Sequence, residues 1–193
     1  MSTPIRIGIS ACLLGQEVRF DGGHKYDPFL VSILAPHVEF VPVCPEVELG
    51  LGTPREPLHL VRPADGTLRM VTTRTNVDYT ESMNTWAAAR VEELALKDLS
   101  GYVLKKDSPS CGMERVKTVE SVGGAATREG RGLFASVLMN RFPLLPVEDE
   151  GRLQDPALRD KFIERVLAYR RLKDLYSGRW KTVVLQHVAR THV

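Results

Sequence analysis

The sequence predicts an α/β protein with a mostly parallel sheet, helices on both faces of that sheet, and a C-terminal helix. Three short apolar runs, at residues 5–10, 38–43 and 101–104, have the length and composition of buried strands. Segments with helical periodicity alternate with them, which is the pattern of a parallel sheet covered by helices. The 193 residues are enough for one well-buried domain.

The composition is that of an ordinary globular protein, with 43% hydrophobic and 26% charged residues. A net charge of +2 gives no argument for binding nucleic acid. No apolar run approaches the length of about 20 residues that a membrane helix needs, and the N-terminus lacks the pattern of a signal peptide. Three cysteines are an odd number that does not indicate a disulfide framework. We therefore expect a reducing, cytoplasmic compartment, where cysteines more often bind metal or react.

The first part of the chain is predicted to be a strand, a polar turn, a short helix and a second strand. After the strand at 5–10, the glycine-dense polar stretch at 18–25 indicates a turn. Asp27-Pro28 combines a helix N-cap with proline at the first helical position, so a short helix is expected to follow it. That helix ends before Pro36, and the second strand comes next.

The middle of the chain predicts a hairpin, a long helix and a third strand. Asp65-Gly66 between two apolar-rich runs is a strong hairpin signal. Residues 80–98 place apolar side chains, from Met83 to Leu94, on one helical face. After the third strand, the segment 116–132 is polar and rich in glycine, and we interpret it as a mobile connection of the kind that forms a lid.

The last part of the chain predicts two helices and one further strand. A helix is expected at 133–141 and a fourth strand or extended segment at 144–147. Asp155-Pro156 is a second N-cap followed by proline, and it starts the C-terminal helix. We divide the chain into an α/β domain at 1–150 and a C-terminal helical extension at 151–193.

Each of the three cysteines follows a predicted strand. Cys12 comes after the first strand, Cys44 after the second, and Cys111 a few residues after the third. Because the carboxyl ends of parallel strands form the ligand crevice of an open α/β sheet, we expect the three thiols to meet at one edge. A cysteine taken alone is a small buried hydrophobic residue about as often as it is a functional one. Glycine, proline and serine, rather than apolar runs, surround all three.

Several chemistries are open to three such cysteines. Zinc sites show paired cysteines such as C-x-x-C, which this chain lacks, and a fourth ligand would have to be His24 or a carboxylate. An iron–sulfur cluster is normally held by four thiolates, so three would leave one iron open to bind a substrate as a Lewis acid. The third alternative is a reactive thiol without a metal.

A carboxylate and two serines accompany the cysteines. Glu46, two residues after Cys44, is a candidate general base. A helix cap or an ion pair with Arg55 is the structural alternative for Glu46. Ser108 and Ser110 lie in the third cysteine loop and are candidates for assisting catalysis and for binding substrate, although hydroxyls in turns also bond the local backbone.

Three cations are candidates for binding an anionic group of a substrate. Arg19, Lys25 and Arg55 lie in the polar stretches after the first and second predicted strands. Residues of this kind are more often solvated or paired with neighbouring carboxylates, here Asp21 and Glu56.

Five motifs occur in order along the chain: Ser10-Ala11-Cys12-Leu13-Leu14-Gly15, Arg19-Phe20-Asp21-Gly22-Gly23-His24-Lys25, Cys44-Pro45-Glu46-Val47, Pro54-Arg55-Glu56-Pro57 and Ser108-Pro109-Ser110-Cys111-Gly112. Together they resemble the thiouracil desulfurase family, and the resemblance runs from Ile5 to Tyr176. Motifs at 132–135 and 144–148 are similar to the longer branch of that family, in which a second uncharacterised domain often follows. Residues 185–187 resemble the start of that domain, so we expect a fused or adjacent C-terminal domain as a partner.

The resemblance implies a Rossmann-like α/β fold whose first domain binds a four-iron, four-sulfur cluster. It implies that Cys12, Cys44 and Cys111 are the cluster ligands. The fourth iron would take the sulfur of a thiolated small molecule such as 2-thiouracil, with no net redox change. Glu46 and Ser108 would assist the reaction. The cluster can be absent from aerobically prepared protein, and the sequence does not decide whether oxygen removes it.

Two other functions stay open beside desulfuration. In the first, a cluster or a zinc ion only holds the fold of a binding or sensor module. In the second, Cys12 or Cys111 carries a persulfide in a sulfurtransferase. A brown anaerobic preparation would indicate a cluster, and a colourless one with stoichiometric zinc would favour a structural role.

Overall fold

The computed structural model describes residues 4–120 and 126–176, and its strands form two four-stranded sheets. In chain order the strands are β1 (Arg6–Ser10), β2 (Glu39–Val43), β3 (Leu58–Val61), β4 (Arg69–Thr72), β5 (Leu99–Leu104), β6 (Val116–Val119), β7 (Ala126–Gly130) and β8 (Val147–Asp149). The α-helices are α1 (Pro45–Glu48), α2 (Thr80–Ala95), α3 (Leu133–Arg141) and α4 (Pro156–Asp174). Shorter helical segments lie at Ala11–Leu14, Phe29–Leu34, Ala35–His37 and Arg152–Gln154.

The first sheet has the strand order β2-β1-β5-β8, and all its neighbouring strands are parallel. β1 lies between β2 and β5, with Ser10 opposite Val43 of β2 and Ile9 opposite Val103 of β5. The three strands predicted from apolar runs are confirmed as β1, β2 and β5. Their carboxyl ends lie side by side, at the edge where open α/β sheets bind ligands.

Side chains of β5 enter apolar cores on both faces of this sheet. Tyr102 and Leu104 lie in the core that also contains side chains of α2 and α3. Val103, on the other face, lies in the core with Phe162 and Val166 of α4. The predicted α/β fold, with helices on both faces of a parallel sheet and a C-terminal helix, is confirmed.

A second sheet, which the sequence analysis did not predict, has the strand order β4-β3-β6-β7. β3 and β4 form the antiparallel hairpin that Asp65-Gly66 predicts. β6 is parallel to β3, and β7 is antiparallel to β6. Leu60 of β3 and Met70 of β4 are fully buried in the core beneath α2, so the two sheets share one apolar core.

The interpretation of 116–132 as a mobile connection is wrong for its described residues, because they form β6 and β7. Val116 and Thr118 are buried and alternate with less buried residues, the pattern of a strand with one covered face. Gly130 allows the two strands to come close, because a Cβ there would lie 2.3 Å from Thr118 Oγ1. A glycine that indicates a loop by composition is here a position of close strand contact.

Both predicted N-cap-plus-proline helix starts are confirmed. Asp27 Oδ1 accepts the backbone N–H of Leu30 at 3.0 Å, and Asp155 accepts two backbone N–H groups in the first turn of α4. The fourth predicted strand is confirmed with a shift, because β8 begins at Val147, where the predicted segment ends. The motif at 185–187 lies outside the described residues.

α4 packs against the first sheet, β2-β1-β5-β8. Phe162 and Val166 lie in one apolar core with residues of β1 and β5, and Lys173 Nζ donates to the carbonyl of Leu99 at 2.9 Å. The division of the chain at residue 150 stays a prediction. In the described part of the chain, no helix combines the length and the apolar character needed to cross a membrane.

Candidate active site

The carboxyl ends of β1, β2 and β5 surround a cavity of about 320 Å³. Cys12 follows β1 in a 3-10 helix, Cys44 follows β2 directly, and Cys111 lies in the loop after β5. All three line the cavity, because their strands are neighbours in the sheet. The other predicted site residues on its wall are Arg19, Lys25, Glu46, Arg55 and Ser108.

Cys44 begins the short helix α1. Its backbone N–H donates to Glu48 Oε1 at 3.1 Å. Its thiol lies 3.7 Å from the carbonyl oxygen of Val18 and 3.7 Å from Glu46 Oε2, and its single hydrogen can be donated to either of these acceptors. The cysteine and the carboxylate of the second predicted motif are therefore in direct contact.

Serine hydroxyls order the loop that carries Cys111. Ser108 Oγ accepts the backbone N–H of Cys111 at 3.1 Å and that of Ser110 at 3.3 Å. Ser110 Oγ lies 3.1 Å from Ser108 Oγ and 3.6 Å from Cys111 Sγ. The Ser108 hydroxyl thus bonds the local backbone, as serines in turns do, and the Ser110 hydroxyl contacts the thiol.

Burial makes all three thiols weak acids. It raises the pKa of Cys12 to about 11 and that of Cys44 to about 12, and it holds the pKa of Cys111 well above its ordinary value. The charge of Glu46 raises the pKa of each thiol further, whereas the charge of Lys105 lowers that of Cys12. Nucleophilic cysteines lie in electropositive, partly exposed surroundings that lower the thiol pKa. The raised pKa values therefore argue against a reactive thiol without a metal; a bound metal would remove the thiol proton on coordination.

Glu46 is a buried carboxylate on the cavity wall. Its Oε1 accepts the hydroxyl hydrogen of Ser110 at 2.6 Å, and its Oε2 lies 3.8 Å from Arg55 Nη2. Ser110 has no exposed surface and lies behind Glu46. The structure therefore favours a supporting contact for Ser110 over the substrate contact expected from the sequence.

Arg55 binds other parts of the protein with most of its donors. Its Nη1 donates to the carbonyl of Val18 at 3.0 Å and to that of Gly52 at 2.9 Å, while Nη2 faces Glu46. Its backbone N–H donates to the carbonyl of Phe20 at 2.9 Å. Arg55 thus ties its own loop to the loop after β1 and forms the ion pair expected as the structural alternative for Glu46.

Arg19 and Lys25 also reach the cavity wall. Arg19 Nε lies 3.4 Å from Asp21 Oδ1, and its guanidinium carbon lies 5.3 Å from the centre of the Phe20 ring. Lys25 is exposed, and its backbone N–H donates to the carbonyl of Cys12 at 2.8 Å. The backbone bond of Lys25 holds the loop after β1 against the first cysteine.

Two lysines on the cavity wall, Lys105 and Lys106, were missed from the sequence. Both follow β5 directly, at the edge where ligands bind, and that position is a signal that could have identified them. Lys105 donates its backbone N–H to Ser10 Oγ at 2.9 Å, and its ammonium group pairs with Glu150. The contact with Glu150 joins the residue after β5 to the residue after β8, so no local pattern predicts it.

The donor set at the cavity fits an iron–sulfur cluster better than a zinc ion. His24, the candidate fourth zinc ligand, is exposed and not on the cavity wall, and its Nδ1 accepts the N–H of Tyr26 at 3.2 Å. Among residues 4–120 and 126–176, no three His, Cys, Asp or Glu side chains are arranged to hold a metal ion. Zinc needs four ligands around one point, whereas cluster irons take thiolates that lie apart.

The fold and the site together define an α/β protein that gathers three cysteines and a carboxylate at the carboxyl edge of its parallel sheet. The model of the 2-thiouracil desulfurase family matches residues 7–150. The chain therefore belongs to the 2-thiouracil desulfurase family, and the resemblance drawn from its five motifs is confirmed. It is an enzyme of the desulfurase type.

A curated protein and a solved structure show how far the similarity extends. The uncharacterized protein YbbK of Bacillus subtilis (strain 168) is 31% identical over 135 residues, which are 67% of this chain and 87% of YbbK. The structure of TudS, a [4Fe-4S]-dependent thiouracil desulfidase, is similar with a TM-score of 0.62 and 29% identity. That similarity covers 81% of this chain and 98% of the TudS chain, so it includes most of the fold described above.

Proposed function

We propose that this chain removes sulfur from a thiolated nucleobase or a related thiocarbonyl compound, such as 2-thiouracil, without net redox change. The observation that carries the proposal is that three cysteines and Glu46 line one cavity in a chain of this family. The similarity to TudS, described as a thiouracil desulfidase, supports it. We place the reaction in a reducing cytoplasm, where cysteines that are free in this structure stay reduced.

We assign a [4Fe-4S] cluster to this cavity, with Cys12, Cys44 and Cys111 as its ligands. Thiolates are the usual protein ligands of cluster irons, and three of them would leave one iron without a protein ligand. When bound, the cluster supplies that iron as a Lewis acid for the thiocarbonyl sulfur. Every other task of the reaction falls to the side chains on the cavity wall.

Glu46 is the proposed base that takes a proton from the attacking water. Its Oε1 is occupied by the hydroxyl of Ser110, which leaves Oε2 to accept that proton. Ser110 and Arg55 hold the carboxylate from two sides. A base held in place in this way loses little entropy in the transition state, and proton transfer to it makes water a better nucleophile near neutral pH.

Ser108 is the proposed partner for a polar atom of the substrate. Its hydroxyl is on the cavity wall and accepts two backbone N–H groups. Because Ser110 gives its only hydroxyl hydrogen to Glu46, the hydrogen of Ser108 goes either to Ser110 Oγ or to an acceptor on the substrate. Its Oγ connects to Glu46 through Ser110, with distances of 3.1 Å and 2.6 Å along the chain of hydroxyls. This chain offers a path for a proton between the cavity and Glu46.

Arg19, Lys25 and Arg55 place positive charge on the cavity wall. Positive charge in a partly enclosed cavity attracts the electronegative atoms of a small substrate. Arg19 and Lys25 are the two proposed to contact the substrate, because Arg55 uses its donors on Glu46 and on backbone carbonyls.

The test is anaerobic reconstitution of the protein with iron and sulfide, followed by a screen of thiolated pyrimidines for sulfide release. We expect the wild-type protein to convert 2-thiouracil or a similar base to its oxygen analogue. A Cys111→Ser variant, which lacks one cluster ligand, should release no sulfide. An intact cluster without sulfide release from any thiolated base would contradict the proposal and favour a binding or sensor module. A persulfide on Cys12 or Cys111, found by mass spectrometry, would indicate sulfurtransfer.

A further inference from the structure

Lys105 is a cation of the cavity wall to which the mechanism above gives no task. Its side chain is only 18% exposed, so solvent screens its charge less than it screens a surface charge. Among the charged groups around Cys12, Lys105 acts most strongly on the thiol. Lys105 therefore places positive charge in the part of the cavity that holds the first cysteine.

Three contacts hold Lys105 in place. Its backbone N–H donates to Ser10 Oγ at 2.9 Å, and its ammonium group donates to the carbonyl of Lys106 at 2.8 Å and pairs with Glu150. Glu150 also accepts the backbone N–H of Lys106 at 2.7 Å. The two acceptors of the ammonium group, Glu150 and the backbone of Lys106, therefore hold each other in place. Within the described residues, these acceptors take two of the three ammonium hydrogens, which leaves the third for an anion in the cavity.

The proposed reaction creates such an anion. Water attacks the thiocarbonyl carbon, so a C=O double bond forms in place of the C=S double bond, and sulfur keeps both electron pairs of the broken double bond. One proton of the water goes to Glu46 and the other leaves with sulfur, so sulfur departs as hydrosulfide, HS⁻. No electron is gained or lost in this exchange. A cation fixed beside the reacting atoms stabilises charge as it develops, without having to move.

We propose that Lys105 binds the hydrosulfide released in the desulfuration, an inference that rests on the proposed function. Arg55 shares its charge with Glu46 inside the cavity, Arg19 pairs with Asp21, and Lys25 and Lys106 are exposed. Lys105 also has a carboxylate partner, Glu150, but Glu150 is not among the residues that line the cavity, and its charge acts on Cys12 less than that of Lys105. Lys105 is therefore the best-placed cation for an anion next to the cysteines.

The test is a titration of the anaerobically reconstituted protein with sodium sulfide at mildly alkaline pH. Hydrosulfide binding is monitored by the visible absorption of the cluster. We expect Lys105→Gln to weaken hydrosulfide binding about tenfold, because a poorly screened charge is lost. Lys105→Arg should keep the affinity. Lys106→Gln, the matched control, removes an exposed neighbouring charge and should change the affinity by less than about twofold.

Two further measurements separate this inference from folding and from the proposed function. Iron content and melting temperature are first compared between each variant and the wild type. The midpoint potential of the cluster should then be lower in Lys105→Gln than in Lys106→Gln. Glu150→Gln removes the negative charge that pairs with Lys105, so it should strengthen hydrosulfide binding. If Lys105→Gln does not retain iron, the affinity of Glu150→Gln tests the inference in its place. The inference would be overturned if Lys105→Gln bound hydrosulfide as tightly as wild type, or if Lys106→Gln weakened binding as much as Lys105→Gln does. Unchanged affinity in Glu150→Gln would also overturn it. Wild-type protein that binds sulfide through Lys105, but releases none from any thiolated base, supports Lys105 as the anion site and overturns only the proposed function.

Discussion

Ser110 Oγ donates a hydrogen bond of 2.6 Å to Glu46 Oε1, although the two residues are 64 positions apart in the chain. Both residues are buried. The bond joins the loop after β5 to the helix after β2, and it fixes the carboxylate relative to Cys44 and Cys111. Hydrogen bonds to an ionised carboxylate are among the stronger ones in proteins, so this bond contributes to the geometry of the whole cavity.

We expect Ser110→Ala to lower the stability of the cluster-free protein by about 1–3 kcal/mol, because it leaves a buried acceptor of Glu46 without its donor. Turnover should also fall, since the carboxylate is held less firmly. Urea unfolding and a sulfide-release assay measure the two effects. Ser32→Ala is the control, because within residues 4–120 and 126–176 the side chain of Ser32 bonds only the hydroxyl of the exposed Tyr26, at 3.3 Å. Its loss should cost less than about 0.5 kcal/mol. Equal stability of the Ser110 variant and wild type would show that the bond does not hold Glu46.

We expect Arg55→Lys to lower both stability and kcat, because lysine keeps the charge but cannot reach two carbonyls and Glu46 together. Arg55→Met should cost more, about 3 kcal/mol, because it leaves Glu46 without a neighbouring cation. Denaturant unfolding and steady-state kinetics provide the comparison. If Arg55→Lys raises KM alone, with kcat and stability unchanged, Arg55 contacts the substrate directly, as expected from the sequence.

Replacing any one of Cys12, Cys44 or Cys111 by Ser should abolish retention of the cluster, because only three thiolates are available to hold it. Iron and acid-labile sulfide are measured after anaerobic reconstitution and desalting. The cluster-free variants should unfold at nearly the wild-type temperature, since a serine hydroxyl is close in size to a thiol. Full iron content in the Cys111→Ser variant would show that Cys111 is not a ligand.

Gly132→Ala should disturb the cysteine loop, because a Cβ at Gly132 would lie 2.3 Å from the carbonyl oxygen of Ser110 and 2.8 Å from the backbone nitrogen of Gly112. Backbone atoms cannot move aside as a side-chain end can, so the loop itself has to shift. We expect a loss of stability of about 1–3 kcal/mol and reduced iron content after reconstitution. Gly23→Ala is the control, since in the described part of the chain its Cβ would meet only the Asp21 side chain, at 3.3 Å. Equal iron content in the two variants would contradict this account of the loop.

Strand ends and cysteine positions could be predicted from the sequence because both depend on local pattern. The apolar runs identify β1, β2 and β5, and Cys12, Cys44 and Cys111 follow them. The parallel-sheet rule then places the three thiols at one edge without any long-range information. The N-caps at Asp27 and Asp155 are equally local.

Contacts between distant segments could not be predicted in the same way. Ser110 bonds to Glu46, and Arg55 bonds to the carbonyl of Val18. The fold brings these residues together, and no sequence spacing indicates the contacts. The strands β6 and β7 were missed because they are short and polar, and their Gly130 serves close packing instead of a turn. The ion pair of Lys105 with Glu150 could not be predicted, because Glu150 follows a different strand, β8.

The central claim is that Glu46 acts on water and does not merely pair with Arg55. Glu46→Gln keeps the size of the side chain and its bond to Ser110 but removes the base. The matched control is Glu48→Gln, on the same short helix, because Glu48 caps the N–H of Cys44 and pairs with Arg90 without lining the cavity. Both variants should retain a full cluster after anaerobic reconstitution.

The most direct measurement is the rate of sulfide release from 2-thiouracil by these two reconstituted variants and the wild type, at equal iron content. Glu46→Gln should lose about 10²–10⁴-fold in kcat, the usual contribution of a general base, while it still binds the substrate. Glu48→Gln should stay within about tenfold of the wild type, because its charge acts only on the helix start. A Glu46→Gln enzyme with the wild-type rate would contradict the account, and it would leave Glu46 as a structural partner of Arg55 and Ser110.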